Sequence, residues 1–192
     1  MSGQLPTSPV ARSAKINSQQ STIVSVTASG RKQARQIDGQ RFAITLQYPP
    51  MTRSEFSPIK AFIMKQRSQL ESFTVIPPTE SNAQGTASGT PTGTASAGDT
   101  SITLGGTGTG TLLAGDYIKF ANHDKVYMVV VDQSDISTGT LTIEPPLRTA
   151  VSGTDITYDS VPFTVSLIND VQEYNIGTTN LYAYELDVVE VL

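Results

Sequence analysis

The chain contains no cysteine and no tryptophan, and it has a single histidine, His123, among 192 residues. Without cysteine it can form no disulfide framework, no thiol nucleophile and no cysteine-ligated zinc site. No stretch approaches the roughly 18 apolar residues of a membrane-spanning helix, and residues 1–15 lack the apolar core of a signal peptide. We therefore expect a protein that is made in the cytosol, does not insert into membranes and gains its rigidity from packing or assembly.

Signals for catalysis and for cofactor binding are also missing. His123 lies in a polar segment between two predicted strands, where it is expected to be a turn residue, and no serine occupies a Gly-x-Ser-x-Gly elbow. The glycine-rich segment 106–110 does not precede a helix with lysine, so it is not a phosphate loop. The sequence therefore predicts no catalytic residue, no metal site and no cofactor.

Charge is scarce but unevenly divided. Ten Lys or Arg stand against three acids before Pro77, and three stand against fourteen from Pro77 onward, which gives about +7 and −11. Such a division can attract nucleic acid, can set a positive surface of one copy against a negative surface of the next, or can simply describe two solvated faces. Sequence-specific nucleic-acid binding is not expected, because zinc-knuckle spacing, a helix-turn-helix pattern and basic runs with interleaved aromatics are all absent.

The sequence signals for secondary structure are clearest between residues 41 and 78. Apolar residues alternate with others from 42 to 48, which predicts a half-buried strand ended by two prolines. Thr52 and Glu55 have the spacing of a capping box, and they open a predicted helix near 53–67. Residues 72–76 then resume an extended pattern. Upstream, residues 22–27 alternate as a strand, and the turn-like residues 28–32 predict a hairpin with a basic tip.

The second half of the chain predicts a different layout. Residues 79–111 are rich in Gly, Thr and Ser and predict a mobile linker that begins an insertion. Residues 112–160 show short strands separated by turns, with no helix, and predict a small inserted β-barrel. The strands expected at 161–168 and 181–192 are better paired with those before Pro77. The predicted fold is therefore mainly β, with a discontinuous domain of residues 1–78 and 161–192.

Three segments carry a resemblance to a known family: residues 36–78, residues 114–132 and residues 181–192. In layout and residue type they resemble the distal tail proteins of tailed bacteriophages, especially the lambda-type minor tail M proteins and relatives with an inserted barrel. The resemblance implies a β-sandwich with one packed helix and an outer, OB-like domain. It also implies a structural, non-enzymatic virion protein that forms a hexameric ring at the distal end of the tail tube.

The same resemblance implies partners and contacts. The ring would bind the tail tube protein on one side, and the baseplate hub with its receptor-binding apparatus on the other. Contacts between copies would fall to basic residues of the hairpin tip and of the helix. These residues are Arg31, Lys32, Arg35, Arg53, Lys60 and Arg67.

A second interpretation, from another functional class, remains open. Tyrosines that protrude from a small barrel can form a platform for carbohydrate. In the inserted block, the candidates are Tyr117, Tyr127 and Tyr158. The alternative is therefore a β-module of a virion protein that binds carbohydrate or the host surface.

Overall fold

The computed structural model describes residues 3–37, 39–177 and 179–192. In this part of the chain the protein is mainly β, with one α-helix and a closed β-barrel, as the sequence predicts at that level. The strands are β1 Ser13–Gln19, β2 Thr22–Val26, β3 Lys32–Gln36, β4 Arg41–Gln47, β5 Phe73–Val75, β6 Pro91–Ala95, β7 Ser101–Gly106, β8 Tyr117–Phe120, β9 Val126–Val129, β10 Thr140–Glu144, β11 Val151–Thr157, β12 Phe163–Leu167, β13 Tyr174–Ile176 and β14 Tyr182–Glu190.

One layer is a six-stranded antiparallel sheet. Five strands lie in the order β1-β4-β14-β12-β5, and β13 pairs with the first residues of β14. The late strands β12 and β14 thus share a sheet with the strands that precede Pro77. On β14, alternate residues are buried from Tyr184 to Glu190, and the acids Glu185 and Asp187 point to the opposite face. The predicted alternation of this strand is confirmed.

The helix α1 (Arg53–Lys65) covers the apolar face of the sheet. The capping box is confirmed, since the Glu55 carboxylate accepts hydrogen bonds from both the backbone N–H and the hydroxyl of Thr52 at 2.8 Å. The helix ends two residues earlier than predicted, because Arg67 adopts a left-handed backbone conformation with φ of 53°. In the described part of the chain, no helix is long and apolar enough to cross a membrane.

The outer face of the sheet carries polar side chains that bond to one another across strands. Thr45 donates to Asp187 at 2.6 Å, and the side-chain amide of Gln47 donates to Glu185 at 3.2 Å. Such cross-strand pairs are typical of a sheet face that meets water. The sheet therefore has one apolar face under the helix and one polar face that no helix or second sheet covers within residues 3–37, 39–177 and 179–192.

Six strands close the barrel in the order β10-β7-β6-β11-β8-β9. Two of them, β6 and β7, lie inside the segment 79–111, so the prediction of a mobile linker there is wrong. Threonine is β-branched and suits strands, while Ile102 and Leu104 supply two buried side chains to the barrel core. The barrel thus begins well before residue 112, and most of its core side chains form a cluster distinct from that of the sheet.

Candidate assembly surfaces

The arm, residues 20–37, is the most exposed part of the fold. Strands β2 and β3 form a two-stranded sheet of their own, and every residue in them is exposed. The side chains of Ile23 and Val26 are 58% and 64% exposed. An isolated two-stranded hairpin is only marginally stable in water, and exposed apolar side chains in such a strand pair mark a surface that another chain can cover.

The arm also carries positive charge. Arg31, Lys32 and Arg35 are all exposed in it, and residues 20–37 contain no acid. Its turn uses Gly30 at a φ of 80°, a conformation that glycine adopts without strain. The structure therefore places the three predicted contact residues together, on an element that reaches out from the Gln19/Arg41 end of the β1–β4 pair.

The three basic residues predicted on the helix lie elsewhere. Arg53 opens α1 just after the opposite end of β4, and Lys60 follows two turns later on the same side of the helix. Lys60 donates to the Tyr174 hydroxyl at 2.9 Å, with its ammonium 4.7 Å from the ring centroid. Arg67 is exposed beyond the helix end. The arm and the helix therefore present two separate basic surfaces, and Lys60 already fastens α1 to β13.

An acidic groove lies at the far end of the β1–β4 pair from the root of the arm. Its volume is about 710 Å³, and segment 169–175 forms one of its walls. The charged residues that line it are Arg12, Asp170, Glu173, Glu185 and Asp187. Four carboxylates against one guanidinium give the groove a negative potential.

Sequence reasoning missed the joint between the sheet and the barrel. Glu190, at the end of β14, is fully buried, and it forms an ion pair with Lys125 of the β8–β9 turn. The same carboxylate accepts the backbone N–H of Val126 at 2.9 Å and that of Phe42 at 3.1 Å. Lys125 also donates to the Gln40 side chain at 2.7 Å. The sequence did hold a signal, because Glu190 is an acid at a core-facing position of the β14 alternation.

Burial dominates the electrostatics of this joint. Removal of the Lys125 ammonium from water lowers its pKa, while the adjacent Glu190 carboxylate acts in the opposite direction. The ammonium also lies 4.7 Å from the centroid of the Phe42 ring, which adds a cation–π contact. The pair is thus held by hydrogen bonds and an aromatic face inside the protein.

The three tyrosines proposed as a carbohydrate platform do not protrude from the barrel. The prediction of these residues as glycan contacts is therefore wrong. Tyr127 is fully buried in the barrel, and Tyr158 is 8% exposed with its hydroxyl bonded to the Gly89 carbonyl at 2.9 Å. Tyr117 packs edge-on against Phe42 and Phe163 of the sheet, at centroid distances of 5.4 and 5.5 Å. Tyrosines often bury the ring and satisfy the hydroxyl internally; Tyr127 and Tyr158 do both, while Tyr117 is half-buried against the sheet.

His123 lies in a turn, as predicted. Its Nε2 is 2.8 Å from the Tyr127 hydroxyl, and its Nδ1 is 2.6 Å from the Asn122 side-chain oxygen. Within the described residues, no three side chains of the metal-ligating types cluster closely enough to hold a metal ion. Comparison with known protein families and with curated protein sequences finds no match.

Proposed function

We propose that this protein is a structural component of a bacteriophage tail that forms a hexameric ring at the distal end of the tail tube. The observation that carries the proposal is the arm. Among the residues that the structure describes, none forms a layer over its exposed apolar residues Ile23, Val24 and Val26 or over its three basic residues. A subunit that repeats head to tail around a closed ring needs such a projecting element and a different surface to receive it.

The remaining parts of the fold suit the roles that the proposal gives them. The helix-backed sheet would act as the ring domain, of β-sandwich type, with its polar outer face free for neighbouring layers. The closed barrel would act as the OB-like outer domain, although it has six strands where an OB fold has five. The buried joint at Glu190 would hold the barrel at a fixed angle to the ring.

In this proposal the ring works by shape and charge, without an enzymatic step or a cofactor. It would join the tail tube protein to the baseplate hub and the receptor-binding apparatus of the virion. The basic helix surface, with Arg53, Lys60 and Arg67, is a second candidate contact. It lies away from the arm, so it would serve a different interface from the arm.

The test is the mass and shape of the purified protein. We expect light scattering to give six times the chain mass, and negative-stain electron images to show a six-fold annulus with a central hole of a few nanometres. A protein that stays monomeric at high concentration and is missing from virions would overturn the proposal. A stable oligomer of another symmetry would reject the hexamer and keep the assembly role.

A further inference from the structure

We propose that the acidic groove receives the arm of a second copy of this chain. The inference rests on the proposed ring function and adds the acceptor surface to it. The groove is open, and it is lined by Arg12, which precedes β1, by the end of β4, by β14 and by segment 169–175. Its occupant is identified by three features: position, charge and apolar surface.

In the structure, a chain's own arm does not occupy its groove, because none of residues 20–37 lines it. The arm begins where Gln19 pairs with Arg41, and the groove contains Gln47, at the other end of the same strand pair. The seven residues of β4 separate the two by about 20 Å, at roughly 3.3 Å per residue. With an arm at one end of each chain and a groove at the other, copies meet head to tail. Such contacts close as a ring or continue as a filament.

Charge and apolar surface match as well. The arm carries three positive charges and no negative one, and the groove carries four carboxylates and one guanidinium. Val171 in the groove wall is 70% exposed, and Ile176 of the adjoining β13 is 57% exposed. Val171 shares the groove wall with Asp170 and Glu173, so an apolar residue of an incoming arm would find an apolar partner next to its ionic ones. Matched charge sets the register of such a contact, and apolar burial stabilises it.

Two engineered cysteines can test the contact directly, because the chain has none of its own. Ser25→Cys places a thiol on the arm, and Ala183→Cys places one in the groove. Under mild oxidation we expect the double variant to form a ladder of covalent oligomers up to the ring, and each single variant to stay uncross-linked. Ser25→Cys combined with Ser152→Cys on the barrel is the matched control, and it should form no ladder.

Charge reversal gives a second, independent test of the contact. Replacing Arg31, Lys32 and Arg35 by Glu should weaken assembly roughly tenfold or more in concentration, since several ion pairs change sign together. Glu173→Lys with Glu185→Lys should do the same, and the two sets combined in one chain should restore assembly. Glu144→Lys with Asp155→Lys, on exposed barrel positions, is the control with an equal change of charge.

The outcomes separate this inference from the function on which it rests. Cross-links between arm and groove, together with restored assembly in the combined variant, support the contact. If the wild-type chain forms a ring but the double-cysteine variant gives no such cross-link, or if assembly tolerates charge reversal in the groove, the acceptor assignment is overturned and the ring proposal stands. A wild-type chain that remains monomeric at high concentration overturns both.

Discussion

At the scale of single residues, the hydrogen bonds of His123 suit a neutral imidazole. The Asn122 oxygen can only accept, so Nδ1 carries the hydrogen and Nε2 accepts from the Tyr127 hydroxyl. That hydroxyl in turn accepts the Arg148 backbone N–H at 2.9 Å. Burial, with help from Lys119, lowers the pKa of His123 below its ordinary value of 6.5.

A pH dependence follows from that lowered pKa. As pH falls below about 6.5, the unfolded chain takes up the imidazole proton before the folded chain does, so the free energy of unfolding must fall. We expect urea unfolding to show this loss between about pH 7 and about pH 5. His123→Gln should flatten the profile in that window. An unchanged slope in this variant would show that other groups cause the loss.

For Glu190, the sequence predicts on which face of β14 the side chain lies but not which residue it pairs with. The alternation of β14 identifies the face on which Glu190 lies, and an acid at that position indicates a buried charge. Its partner Lys125 is 65 residues away in a polar turn, and no spacing pattern connects the two. Pairing across such a distance depends on how the barrel sits on the sheet, which local patterns do not encode.

At the scale of elements, β6 depends on the absence of a side chain at Gly93. A Cβ built there would lie 2.8 Å from Phe120 Cε1 and 2.9 Å from Ile102 Cγ2, both on fully buried side chains. We expect Gly93→Ala to destabilise the protein by about 1–3 kcal/mol through overpacking, measured by chemical unfolding. Gly105→Ala is the control, because its nearest neighbour would lie at 3.4 Å. Equal effects of the two variants would contradict a packing role for Gly93.

The sequence predicted some elements well and missed others, among them β6. Strong punctuation and clear periods located β4, α1 and β14 to within about two residues. β6 and β7 were missed because glycine and threonine there resemble a linker in composition, although Ile102 and Leu104 do alternate as in a strand. The glycines serve close packing inside the barrel, and composition alone does not separate that use from flexibility. The groove could not be predicted, since residues from 12 to 187 line it.

At the scale of the whole molecule, the sheet and the barrel share a joint and should unfold together. Val126 and Tyr117 of the barrel pack into the core of the sheet, beside the buried pair of Lys125 and Glu190. Two chain segments also cross between the layers, and the backbone N–H of Val161 bonds to the Ser81 carbonyl at 2.9 Å. We expect one cooperative transition in calorimetry, with barrel and sheet amides equally protected in hydrogen exchange.

Lys125→Met tests this coupling, because it leaves the Glu190 carboxylate buried without its cation. Loss of one partner of a buried pair costs about 3–5 kcal/mol, so the variant should melt lower and should lose protection first in the barrel strands beside the joint. Adding Glu190→Gln should recover part of the stability, since it removes the unpaired charge and its amide oxygen can still accept one of the two backbone N–H groups. If Lys125→Met unfolds like the parent, the joint does not couple the two layers, and the barrel would be free to move against the ring.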